Sequence, residues 1–74
     1  MKTQSKFKHN LKSVGYTIEM YIDFVFKKTG IKLVRSTVAN WSRGRSDPPA
    51  ESEFVFEAIR RKKMAEYYKT IKLN

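Results

Sequence analysis

Between residues 35 and 45 the chain sets Arg35, Ser36, Thr37, Asn40, Arg43 and Arg45 within one short segment. A carboxamide such as Asn40 offers a donor and an acceptor side by side, the pair that matches N6 and N7 of adenine. Arg35 can take guanine through O6 and N7, or a phosphate, which is the commoner use of a single Arg. Ser36 and Thr37 supply hydroxyls that either touch a base or satisfy the free N–H groups at a helix start. Arg43 and Arg45 suit phosphate oxygens and also the negative end of a helix dipole, and one side chain can serve both. These groups act together only if a rigid element carries them on one side.

The surrounding residues predict such an element. Ser36 to Arg43 reads as a short helix that begins on hydroxyl residues, stops at Gly44 and cannot continue through Pro48 and Pro49. Val38 and Trp41, three apart, face a core. Ser36, Thr37 and Asn40 are placed on the opposite, slim and polar side, with Arg35 just before and Arg43 just after. A helix of this kind fits a DNA major groove.

Composition agrees with an anionic partner. In 74 residues, 16 Lys and Arg face seven Asp and Glu, a formal charge of +9. The cations cluster at Lys2 to Lys12, Lys27 to Arg45 and Arg60 to Lys63, and the middle cluster surrounds the short helix. There is no cysteine and a single histidine, His9, so neither a disulfide nor a thiolate or histidine metal site is expected. No carboxylate pair stands beside a base or nucleophile and the three glycines are isolated, so no enzyme and no cofactor are expected. No apolar run approaches the roughly 20 residues of a membrane span, and the basic N-terminus lacks the apolar stretch of a signal peptide. The expectation is a cytoplasmic protein with no membrane partner, at the nucleoid if it binds DNA.

Other elements follow from periodicity. Phe7, Leu11 and Val14 predict a first helix ended by Gly15, with about residues 1–5 frayed. Thr17 is the expected N-cap of a second helix, with Glu19 and Asp23 near its positive end. Its apolar stripe is Ile18, Tyr21, Ile22, Val25 and Phe26, and Gly30 closes it. Ile31 and Leu33 are expected to point inward from an extended connection. After Ser46 or Asp47 as cap and Pro48 and Pro49 at the entrance, one long helix is expected to run to about Lys69. Its buried stripe is Phe54, Val55, Ala58, Ile59, Ala65 and Tyr68. Arg60 to Lys63 could serve phosphate, a membrane surface or an acidic partner. Tyr67 and Tyr68 are candidate contacts in a homodimer or heteromer.

The pattern Ser36-Thr37-Val38-Ala39-Asn40-Trp41-Ser42-Arg43-Gly44-Arg45-Ser46-Asp47-Pro48 resembles the third helix and following loop of lambda-repressor-like helix-turn-helix proteins, which include phage CI and Cro regulators. The resemblance is specific over about a dozen residues and covers most of the rest of the chain loosely. It implies one all-α helix-turn-helix domain over 1–74, with four or five helices and about 70–74 frayed. It also implies binding to double-stranded operator DNA, usually as a dimer. By position, Arg35, Ser36, Thr37 and Asn40 match base-reading sites, Thr17, Arg43 and Arg45 match phosphate sites, and Val38 and Trp41 match core sites.

Two departures qualify it. The turn between the second and third helices, Gly30-Ile31-Lys32-Leu33-Val34-Arg35, is longer than the family's, and resembles that of CI-type repressors of temperate lactococcal phages. The second helix carries Glu19 and Asp23, which would repel DNA if they faced it. Phages of this type also use small antirepressors that bind the repressor itself. Two functions are therefore expected: a transcriptional regulator of a phage lysis/lysogeny switch, or an antirepressor with a repressor protein as partner.

Overall fold

A computed structural model describes the chain from Ser5 to Ile71, with side chains described as far as Lys69. It is a small all-α bundle of four helices, α1 (Lys6–Val14), α2 (Ile18–Thr29), α3 (Arg35–Arg43) and α4 (Glu51–Ile71), and no strand occurs among the described residues.

Each of the first three helices stops at a glycine in the left-handed region: Gly15, Gly30 and Gly44, with φ of 71°, 80° and 81°. Only a residue without Cβ enters that region freely, and there its N–H turns back to the last carbonyls of the helix. Gly30 N–H, for instance, donates to the Phe26 carbonyl at 2.8 Å. Thr17 caps α2 as its sequence predicts, its hydroxyl accepting from Met20 N–H at 3.2 Å.

One aromatic from every helix meets at the centre. The Phe7 ring of α1 stands edge-on to Tyr21 of α2, Trp41 of α3 and Phe56 of α4, at centroid distances of 5.0, 5.5 and 5.3 Å. Edge-to-face contacts place the positive ring edge on the negative face, so they fix orientation as well as burying area. Leu11, Val14, Phe24, Val25, Val38 and Ile59 complete the core. Trp41 is buried as expected, and its ring meets Phe7 of α1.

Several side chains sit differently from their sequence expectations. In α2, Phe24 is buried and Phe26 is exposed. Phe24 lies three residues after Tyr21, meets the Tyr16 ring at 6.2 Å, and is roofed by the ammonium groups of Lys28 and Lys62. In α4 the buried row is Ser52, Phe56 and Ile59, with Val55 and Ala58 half-buried, while Phe54 is 70% exposed. Ala65 and Tyr68 are exposed too, because α4 outruns the core. On the core side beyond Ile59 the helix offers Lys62, Lys63 and Glu66, side chains that resist burial.

The caps of α3 and α4 also differ. Val34, not Ser36, precedes the first turn of α3, with no side-chain cap. Neither Ser46 nor Asp47 starts α4. Its first hydrogen bonds run from Ser52 and Glu53 N–H to the carbonyls of Pro49 and Ala50, at 2.9 and 3.1 Å. The prolines therefore stand ahead of the helix. In the connection, Leu33 is half-buried but Ile31 is exposed. α4 is unbroken at Lys63 and runs on to Ile71, and expectations for 1–4 and 72–74 lie outside the described residues.

Candidate nucleic-acid interface

Helix α3 has two faces because it is short and its apolar residues are few. Val38 and Trp41 turn inward. At i, i+4 and i+7, Ser36, Asn40 and Arg43 form a row on the far side. Ser36 and Arg43 are exposed and Asn40 is half-buried. Thr37 is exposed, but it lies four residues before Trp41 and so borders the inward stripe. The expectation that it shares the outer face with Ser36 and Asn40 is corrected accordingly.

Both ends of α3 are fastened. At its start, Arg35 Nε donates to Glu19 Oε2 at 2.7 Å, and its terminal Nη2 lies 2.7 Å from the same oxygen. The Glu19 carboxyl is held below its ordinary value, first by a backbone hydrogen bond at its own residue, then by the Arg35 hydrogen bond and charge. Both side chains are largely exposed, so solvent screens the pair. It is present at neutral pH and is lost as pH falls through the depressed Glu19 value. The contact brings together the first turns of α2 and α3, and with them Thr17 and Arg35.

At the other end, Gly44 turns the chain, and Arg45 N–H donates to the Asn40 carbonyl at 2.9 Å. Arg43 and Arg45 project from this corner and are exposed. Ser5 secures the corner from outside. Its hydroxyl donates to the Ser42 carbonyl at 2.9 Å and accepts from Lys8 N–H at 3.1 Å, capping α1 at the same time. Ser5 is thus ordered, against the expectation of a frayed start. The polar row is bracketed by Arg35 at one end and Arg43 and Arg45 at the other. The helix between them is about 13 Å long, from nine residues at about 1.5 Å each.

Sequence reasoning found this row but missed two of its supports. Ser5 could have been read as a cap, since its hydroxyl stands two residues before Phe7, the first apolar residue of the helix. The Glu19–Arg35 pair, 16 residues apart, has no local signal, because it depends on how two helices cross. Arg35 is consequently engaged within the chain. Of the acidic residues on α2, Asp23 is paired as well, to Lys27 at 3.2 Å.

The third cation cluster sits elsewhere. Lys62 lies over the Phe24 ring of α2, and Lys63 reaches toward Gly15 in the turn between α1 and α2. Among the described residues no group of three or more His, Asp or Glu gathers where a metal could bind, and no helix is long and apolar enough to cross a membrane. No protein-family model, curated protein or solved structure matches the chain.

Proposed function

We propose that this chain is a sequence-specific regulator that binds double-stranded DNA with α3 in the major groove. The observation that carries the reading is the row Ser36, Asn40 and Arg43, on the side of α3 opposite Val38 and Trp41, on a helix fastened at both ends. Asn40 reads adenine, and Ser36 contacts a neighbouring base edge. Arg43 and Arg45 hold phosphates at one end, and Thr17 holds one at the other, where the N-terminus of α2 adds its positive dipole. Arg35 serves as a base reader with the guanidinium N–H groups that Glu19 leaves over, and Glu19 sets its direction. Occlusion of a promoter by such binding gives repression. A role in a lysis/lysogeny switch, in the host cytoplasm at the nucleoid, is part of this proposal and draws its support from the resemblance to phage regulators.

A second reading has its own observation. Glu19 and Asp23 rim a shallow hollow on α2 with Ile22, Phe26 and Lys32, and Phe26 is exposed there. Carboxylates around an apolar floor suit a basic protein surface better than a phosphate backbone. An antirepressor would use this hollow to take the DNA-reading helix of a repressor.

Enrichment of a random duplex pool on the chain, followed by titration over a range of salt, tests the first reading. The expected result is a consensus site and an affinity that falls steeply with salt. Arg43→Ala or Arg45→Ala should flatten the slope by about one phosphate's worth each. Salt-insensitive binding, or a slope unchanged by both replacements, overturns the phosphate roles. For the second reading, Phe26→Ala should weaken a repressor complex while leaving duplex binding unchanged.

A further inference from the structure

We infer that a cleft between α2, its connection to α3 and the start of α4 binds a small neutral molecule, apolar in body and carrying a hydroxyl or carbonyl oxygen. The inference is independent of what the outer row of α3 binds.

The closely packed helix pairs are α1 with α3, α2 with α3, and α1 with α4. Helices α2 and α4 meet through Tyr21 and Phe56, ring centroids 5.3 Å apart. Beside that contact lies a cleft of about 350 Å³. Small-molecule sites begin at roughly 300 Å³. Val25, Trp41, Pro49 and Val55 line it. The long connection between α2 and α3 adds Leu33, half-buried, and Ile31, 57% exposed. A ligand seated here would take the Ile31 side chain out of water.

Two hydroxyls open into this apolar surface. Tyr21 is 2% exposed and Ser52 is 6% exposed, and both line the cleft. Neither hydroxyl has a hydrogen-bond partner among the described residues, and neither oxygen is sealed from the surface. Buried polar groups are ordinarily paired, so a ligand oxygen that meets either hydroxyl makes a bond that the fold leaves unmade. Thr29, also on the cleft, shows the contrast. Its hydroxyl donates to the Val25 carbonyl at 2.8 Å and accepts from Ile31 N–H at 3.0 Å.

The charges select the ligand class. The chain has 16 Lys and Arg, yet none lines the cleft. Its one carboxylate, Glu51, is exposed. An anion would meet Glu51 and no cation. A cation would lose hydration for a single partner screened by solvent. Burial pushes the Tyr21 hydroxyl up to about 12, so it is a neutral donor at ordinary pH.

Titration of the full chain with p-cresol, followed by proton–carbon NMR of methyl groups and of the Trp41 indole, provides the test. p-Xylene carries a methyl group where p-cresol carries its hydroxyl, and p-toluate is the anionic analogue. The expected result is a saturable shift with p-cresol, confined to Val25, Thr29, Ile31, Leu33, Trp41 and Val55. p-Toluate should give no saturable shift at these residues. Tyr21→Phe and Ser52→Ala remove hydroxyls that bond nothing in the chain, so helicity by circular dichroism should be unchanged. Combined, they should weaken p-cresol at least about fivefold and leave p-xylene within about twofold. Val55→Phe, which fills the cleft from α4, should weaken both probes. No saturable shift, or shifts scattered over the surface, overturns the inference. So does a double variant that weakens both probes alike or neither, or p-toluate binding at the same residues as tightly as p-cresol.

Discussion

Helix α3 is nine residues long and tied down at each end, while the part of α4 beyond Ile59 runs past the core with every described side chain exposed. The first is placed by its neighbours: Glu19 at its start, Ser5 at its finish, and Trp41 and Val38 beneath. The second owes its geometry largely to its own backbone hydrogen bonds and to continuity with a buried first half, with Lys62 resting over Phe24. A groove-reading helix needs its side chains held within narrow tolerances, and α3 is built for that.

The sharpest break in this comparison comes from Trp41. Trp41→Ala should lower unfolding free energy by about 3–5 kcal/mol in urea denaturation, because it empties the space against Phe7. A loss as small as that of a surface change would mean that α3 is not anchored through its inner face. The Trp41 fluorescence should be blue-shifted in the folded chain and move red on unfolding.

Tyr21 tests the same core by pH. Burial pushes its hydroxyl up to about 12 from an ordinary 10. The folded state therefore holds this proton more tightly than the unfolded state. The stabilisation is intact below pH 10 and drains away as pH rises toward 12, by on the order of 2–3 kcal/mol. Tyr21→Phe should remove that part of the alkaline decline. An identical decline in the variant would show that Tyr21 ionises freely.

Gly44→Ala addresses the fastening of α3 at its far end. A Cβ at φ of 81° is strained whatever room surrounds it, so a loss of about 1–2 kcal/mol is expected. The smallest effect is reserved for α4. Tyr68→Ala, measured in dilute solution, should change stability by less than about 0.5 kcal/mol. A larger loss would mean that the overrunning half is packed after all.

The contrast also explains what was legible in the sequence. Glycine stops, the Thr17 cap and the α1 stripe Phe7, Leu11 and Val14 are local signals, and the structure repeats them. Buried rows in α2 and α4 were less legible, because Phe24 and Phe26, or Phe54 and Phe56, are equally apolar. The choice between neighbours falls to the crossing of helices, which brings Phe56 to Phe7 and Phe24 to Tyr16. The outer row of α3 was legible as Ser36 and Asn40, since helical spacing alone places them. Engagement of Arg35 by Glu19 was not, for it joins two elements that sequence reading treats separately.

Asn40 carries the central claim, and its replacement is the most direct measurement. With a duplex selected by the chain, Asn40→Ala should relax preference at one base pair by about 1–3 kcal/mol while non-specific affinity barely changes. The change should appear as tolerance of every base at that position and nowhere else. Preference unchanged at every position, with the variant folded, would contradict the placement of α3 in the groove.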